Sequence, residues 1–239
     1  MEPLINYFKD IKIRNILDVG TGSGGFIHTL QKSFPDAGIT GIDPDAKSLE
    51  TTKKNFPDIL FMEMQAENLM FNDDSFDVVS ISMALHHLPK IKKGLKEMKR
   101  VLKPNGYIII NETISDNLTP AQEVHKMYHH FRSQTDRISG KYHRKTFTKD
   151  AILHMLKMAG LQVQFFFEHR RNVNLAKTDS ELEQKVEKMQ QMLEKIQGHP
   201  EYEVLFPQIE EFRSKAKKYG FQPATNLVLV VRKKLLINP

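Results

Sequence analysis

The chain has 239 residues, 40% of them hydrophobic and 27% charged, with a formal net charge of +6. At roughly 100–200 residues per domain this is one large domain or a domain with an appendage, and the composition excludes disordered, collagen-like and membrane classes. There is no cysteine, which excludes disulfides, thiolate catalysis and Cys-ligated zinc or iron–sulfur sites.

No apolar run approaches the ~18 residues of a membrane span, and the stretch MEPLINYFKDIKIRN lacks the basic-then-apolar order of a signal peptide. The cytoplasm is the expected compartment. The charge is unevenly divided. Residues 1–120 hold 14 Lys and Arg against 16 Asp and Glu; residues 121–239 hold 21 against 13. The basic surplus lies in the second half, where basic and acidic residues are interleaved as on solvated helix faces.

The first half alternates strand and helix patterns. Asn15–Val19 is a short apolar run that ends in a glycine loop. Gly24–Phe34 has helical spacing, with Phe26, Ile27, Leu30 and Phe34 on one face. Ile39–Ile42, Ile59–Met62 and Phe76–Ser82 read as further strands, and the continuous apolar centre of the last suits burial on both faces. Helices are expected over Asp45–Asn55 and Ile91–Leu102. Pro104-Asn105-Gly106 reads as a turn before a fifth strand, Tyr107–Ile110. Alternating strands and helices predict a parallel, doubly wound sheet.

In the second half, Thr119 can cap a helix over Thr119–Thr135 with Pro120 in its first position. Phe147–Ala159, Ser180–Gln197 and Tyr202–Tyr219 are further helices. Leu161–Phe167 and Asn226–Val231 are strand-like.

The first chemical signal is Asp18-Val19-Gly20-Thr21-Gly22-Ser23-Gly24-Gly25, which follows a strand and opens a helix. Glycine reaches backbone angles closed to other residues, and it lets a nucleotide-like group approach the backbone. Gly20, Gly22 and Gly25 satisfy the dinucleotide fingerprint; Gly20, Gly22 and Gly24 satisfy the shorter G-x-G-x-G. The second signal is Asp43, at the end of the second strand. An acid there can accept from two ribose hydroxyls, or it can cap the next helix, a task Asp45 performs equally well. Asp18 separates the ligand classes. A carboxylate beside the loop repels a pyrophosphate and welcomes a cationic amino-acid end.

Together, LDVGTGSG, GIDPD, QAENLMFNDDSFDVVSISMALHHL and EMKRVLKPNGYIII resemble a class I S-adenosylmethionine-dependent methyltransferase, of the branch that includes the ubiquinone and menaquinone methyltransferases. The likeness covers roughly residues 14–111. It implies an α/β, Rossmann-like, doubly wound sheet of seven mostly parallel strands, the last antiparallel. A single methyltransferase domain is expected over 1–239, and the helical insertions at 112–147 and 170–222, which depart from the family pattern and are too long for idle loops, are expected to form a substrate lid or a dimer contact. The N-terminal helices that often cover the substrate in the family are not expected in the few residues before the first strand. The implied cofactor is S-adenosylmethionine. Its methionine part falls to Asp18, Gly20, Gly22 and Ser23, and its ribose to Asp43. Pro44 lies against the adenine, Gln65 meets the adenine amino group where the family often has Asp, and Ala66 flanks the ring. Ser82 and Met83 face the cofactor, and His86 lies near the reacting centre.

A base is needed only if the acceptor carries a proton of high pKa. Candidates are His86, His87, His125, His129 and His130, with His86, His87 and His129 foremost. His125 and His129 share a helix face, and His143 or His86 could complete a metal site. Yet HxxxH without a partnered Glu is common on helix surfaces, so no metal is expected. Tyr128 and Phe131 could line an aromatic pocket or belong to the core. The expected acceptor is a small molecule, anionic or aromatic, rather than nucleic acid. Three alternatives stay open at this stage: a catalytically silent cofactor-binding regulator, an RNA methyltransferase, and a nicotinamide-dependent dehydrogenase.

Overall fold

The computed structural model describes residues 1–234, and these fall into two compact units. The first comprises Met1–Glu112, Asp150–Glu168 and the chain from Leu227; the second comprises Thr113–Lys149 and His169–Asn226.

The first unit is built on a seven-stranded sheet in the order β3-β2-β1-β4-β5-β7-β6. The strands are β1 (Asn15–Val19), β2 (Gly38–Asp43), β3 (Leu60–Glu63), β4 (Phe76–Ser82), β5 (Leu102–Thr113), β6 (Leu161–His169) and β7 (Asn226–Lys233). The pairs β1–β2, β2–β3, β1–β4 and β4–β5 are parallel. β7 runs against β5, because Thr113 Oγ1 meets Asn226 Oδ1 at one end while Arg232 reaches the Asn105 carbonyl at the other. β1 and β4 are adjacent although two strands intervene in sequence. The crevice beyond their carboxyl ends is the topological switch point, where open α/β sheets bind ligands.

Burial on both faces explains the unbroken apolar strands. In β4, Val78, Val79, Ser80 and Ile81 are all buried, as are Ile108, Ile109 and Ile110 in β5. The helices of this unit are α1 (Glu2–Phe8), α2 (Ile27–Ser33), α3 (Ala46–Asn55), α4 (Ile91–Val101) and α6 (Lys149–Met158). α3 follows its predicted cap, with Asp45 accepting from the Lys47 amide.

Three details differ from the sequence expectations. A short helix, α1, precedes the first strand; it buries Leu4 and Phe8, and Phe8 packs edge-on against Phe34 and Tyr107. α2 starts three residues later than its apolar spacing suggests, because Gly22 and Gly24 hold left-handed angles of φ +49° and +82° that no helix contains. Pro104-Asn105-Gly106 does not separate a helix from a strand. It is a bulge within β5, where the register against β4 jumps from Phe76↔Leu102 to Val78↔Tyr107.

The second unit is helical, with its own core. α5 (Pro120–Ile138) opens on a capping box in which the Thr119 side chain accepts from the Gln122 amide and Gln122 reaches back to the Thr119 amide. α7 (Asp179–Glu194) opens on a second one, formed by Thr178 and Glu181. α8 (Glu201–Tyr219) ends at Gly220, φ +84°. Val124, Phe131, Val186, Met189, Leu205 and Phe212 pack together as the core of this unit. Phe131 is fully buried there, and Tyr128 packs on Phe212 and Phe221, so both serve the core.

Candidate active site

The loop between β1 and α2 is shaped by its glycines. Gly20, Gly22 and Gly24 have φ values of +68°, +49° and +82°, whereas Gly25 is not left-handed. A Cβ at Gly20 would lie 2.5 Å from Ala84 Cβ, and one at Gly24 would lie 2.7 Å from the Phe56 ring. At Gly25 a Cβ would meet nothing within 4 Å. The third glycine of a dinucleotide fingerprint exists for close helix–strand packing. Gly25 has no such duty, so the working set is Gly20, Gly22 and Gly24.

Asp43 ends β2 facing this loop. Its Oδ2 accepts from the Gly22 amide at 2.8 Å and its Oδ1 from the Asp45 amide at 2.9 Å. Asp45, not Asp43, caps α3: it accepts from the Lys47 amide and from Ser48 Oγ at 2.7 Å. Two amide hydrogen bonds fix the Asp43 carboxylate and use half of its roughly four acceptor positions. The Met64 amide donates to the Asp43 carbonyl at 3.2 Å, which draws the segment after β3 to the same edge. Within that segment Gln65 is exposed and Ala66 buried, while Pro44 and Ser23 are exposed.

Asp18 lies in the middle of this end of the sheet and is 1% exposed. Ser80 Oγ donates to its Oδ1 at 2.6 Å. Burial pushes its pKa up to about 6, and the Asp43 charge adds to the rise while the hydrogen bond from Ser80 opposes it. A cation brought close would reverse that rise.

The loop after β4 completes this side. Asn111, at the end of β5, donates from Nδ2 to Ser82 Oγ at 2.8 Å and accepts the Met83 amide at its carbonyl, also at 2.8 Å. Met83 is held at φ +54°, an unusual conformation for a side chain of its size, and is 38% exposed. A 3-10 turn, Leu85–His87, follows. It buries His86, whose Nδ1 lies 2.8 Å from Oε1 of the fully buried Glu112. A carboxylate only accepts, so Nδ1 carries the proton and Nε2 is the basic nitrogen. His87 stays exposed with its ring 4.3 Å from that of His86.

The structure thus gathers Asp18, Gly20, Gly22, Asp43, Ser82, Met83 and His86 at the carboxyl ends of β1, β2 and β4. Asn111 and Glu112 were not singled out from the sequence. Their signal was available: two polar residues directly after the apolar run Ile108–Ile110, at the same end of the sheet as the glycine loop.

The remaining histidine candidates belong to the second unit. His125 packs against Phe221, and burial with the Arg171 charge lowers its pKa to about 4. His130 Nε2 lies 2.8 Å from Thr146 Oγ1, and burial with the charge of Lys145 lowers its pKa to about 4. Neither is poised as a base near neutral pH. His129 is partnered by His143, at 3.3 Å between Nε2 atoms.

Residues 17–110 match the methyltransferase domain family, and this stretch lies wholly in the first unit. The demethylmenaquinone methyltransferase of Chlorobaculum tepidum is 30% identical over 164 residues, 69% of this chain and 66% of that protein. That of Chlorobaculum parvum is 32% identical over 165 residues, 64% of this chain and 67% of that protein. The chain belongs to the class I S-adenosylmethionine-dependent methyltransferases, in the ubiquinone/menaquinone-like branch.

The matched stretches span about two thirds of those relatives' lengths. Solved structures agree on the fold. A Bacillus halodurans C-125 protein described as a candidate methyltransferase superposes with a TM-score of 0.66 at 17% identity, covering 98% of both chains. A Geobacter sulfurreducens S-adenosylmethionine-dependent methyltransferase, solved with S-adenosyl-L-homocysteine, gives 0.55 at 16% identity, covering 97% of this chain and 89% of that one.

The residues present fit the family's donor, S-adenosylmethionine. The cradle at Gly22 is open, since a Cβ there would meet only Asp43 Oδ2, at 4.0 Å. Asp43 retains acceptor positions suited to ribose hydroxyls, and Asp18 is a buried carboxylate that a cationic group would relieve.

Among the described residues, no helix is long and apolar enough to cross a membrane.

Proposed function

We propose that this methyltransferase acts on a small hydroxylated aromatic acceptor of the reduced-quinone class, with His86 as its base. The observation that carries this reading is the buried His86–Glu112 pair beside the glycine loop, at 2.8 Å. It suits an acceptor that must lose a proton. The demethylmenaquinone methyltransferases among the relatives supply the chemical class.

S-adenosylmethionine, when bound, supplies a methyl group on a sulfonium, which leaves as a neutral thioether. Charge is dispersed in such a displacement, so alignment and a dry site do much of the work. In this reading Gly20 and Gly22 admit the donor to the backbone, Asp43 takes the ribose hydroxyls, and Asp18 faces the cationic end. Ser23, Pro44, Gln65, Ala66, Ser82 and Met83 line the remainder of the donor. His86 Nε2 would take the hydroxyl proton of the acceptor, so that the ring carbon beside that oxygen forms a bond to the methyl as the methyl–sulfur bond breaks; that carbon then gives up its hydrogen as a proton, the oxygen regains one, and the ring is again aromatic. Glu112 holds the imidazole in the required tautomer and offsets its charge once protonated.

The helical insertions at 112–147 and 170–222, which lie outside the matched family stretch, are proposed to form a substrate lid or a dimer contact. Undiminished acceptor turnover after deletion of residues 178–220 would refute the lid.

The main test incubates the protein with methyl-labelled donor and chemically reduced 1,4-naphthoquinone, following label into the organic phase. Transfer is expected with the reduced acceptor, and its rate should collapse in His86→Ala. Donor binding without transfer to any reduced quinone, or equal transfer by His86→Ala, would overturn the reading.

A further inference from the structure

We propose that His129 and His143, in the second unit, hold one divalent transition-metal ion of the zinc type. The Nε2 atoms of the two rings converge to 3.3 Å, with the rings perpendicular at 88°. Two nitrogens bound at ~2.0–2.1 Å to a tetrahedral zinc are separated by roughly 3.3 Å. The spacing is therefore already that of a ligand pair.

The chain builds this arrangement on purpose-made local structure. α5 carries His129 and Asp136 two turns apart on one face. The chain then reverses at Gly140, φ +82°, with the Lys141 amide donating to the Asp136 carbonyl at 2.8 Å. Ser133 Oγ donates to the His143 carbonyl at 3.0 Å and pins the returning segment to the helix. His143 is 2% exposed, and its Nδ1 lies 2.7 Å from Asp136 Oδ2. Arg132 in turn sits 3.5 Å from the same carboxylate oxygen. A carboxylate on the far nitrogen of a ligating imidazole fixes its tautomer and raises its basicity, an arrangement that accompanies metal-bound histidines generally.

Imidazole donors without thiolates suit zinc, cobalt, nickel or copper rather than magnesium or calcium. The two imidazoles supply two of the coordination positions of such an ion. Sequence spacing pairs His125 with His129 one turn apart and offers His143 or His86 as a further ligand; the ring that meets His129 at 3.3 Å is His143, delivered by the chain reversal after α5.

The test is a calorimetric titration of Co²⁺ and Zn²⁺ into the full chain after dialysis against chelator. Saturable binding of one equivalent is expected. His129→Ala and His143→Gln should each weaken it at least ~10-fold, and Asp136→Asn should weaken it ~10–100-fold through the loss of orientation. His154→Ala, at an exposed position on α6, should bind like the parent. Circular dichroism melts of each variant establish that it is folded; if His143→Gln is not, His129→Ala and Asp136→Asn decide.

Three results overturn the proposal. One is absence of saturable binding, which leaves a plain imidazole–imidazole hydrogen bond. Another is unchanged affinity in His129→Ala. The third is equal loss in His154→Ala, which marks scattered surface histidines.

Discussion

Replacing Asp18 by Asn separates the cost of a buried carboxylate from its use. Asp18 is 1% exposed near the carboxyl end of β1, and burial lifts its pKa from 3.8 to about 6. A rise of about two units, at ~1.36 kcal/mol each, places a penalty of about 3 kcal/mol on the ionised form in the folded state. The folded pKa lies above the unfolded one, so the proton-bound form favours folding. That contribution is complete below about pH 4 and is lost as pH rises through about 6.

Asn keeps the shape and an oxygen for the Ser80 hydroxyl, and it carries no charge. Without donor, Asp18→Asn should therefore be more stable than the parent at pH 7 by ~1–3 kcal/mol. The gain should shrink toward acid. The same change should weaken S-adenosylmethionine binding by ~10-fold or more, as a charge-assisted contact worth ~1.5–3 kcal/mol is lost. Parent affinity should rise with pH through about 6, and the variant's should not. Urea unfolding between pH 5 and 7.5, with calorimetric donor titrations over the same range, gives both quantities. A variant that is less stable than the parent at pH 7 and binds the donor equally well would refute the reasoning.

Gly20→Ala should cost ~2 kcal/mol or more in stability and abolish donor binding, because its Cβ would sit 2.5 Å from Ala84 at a left-handed φ of +68°; thermal melts and donor titration check this. Asp43→Ala should leave the fold intact and weaken donor binding ~10–100-fold, the loss expected of the carboxylate proposed to accept the ribose hydroxyls; unchanged affinity in calorimetry would remove Asp43 from the ribose. Glu112→Gln should lower kcat ~100-fold or more while the donor Kd stays constant, because the amide can no longer stabilise a protonated His86; a matched fall in donor affinity would indicate a structural role instead. Thr178→Ala should destabilise the second unit by ~1 kcal/mol through loss of the cap on α7, read by urea unfolding.

The parts of this protein that were legible in sequence are those fixed by neighbours along the chain. β4 is legible to the residue, since a short, β-branched apolar run between turn signals suits a strand buried on both faces. The caps at Asp45 and Thr119 followed from side chains that bond amides two or three residues on. The glycine loop was equally local, although its working set was not. Gly24 and Gly25 are indistinguishable as letters, and only the Phe56 ring beside one and open space beside the other separate them. α1 was missed because seven residues carry little periodicity; its place comes from aromatic packing against Tyr107, about a hundred residues away.

The sequence by itself determined the strand–helix alternation, the glycine loop after β1 and the acid that ends β2, because each depends on backbone angles and spacings within a few residues. The tertiary structure alone decided which groups the histidines face. His86 acquires Glu112 across 26 residues, since β4 and β5 are neighbours in the sheet. His129 acquires His143 across 14, through the reversal after α5. A side chain's chemistry depends on what charge and which hydrogen bond face it, and these partners are set by pairing register and loop closure, which no local pattern encodes.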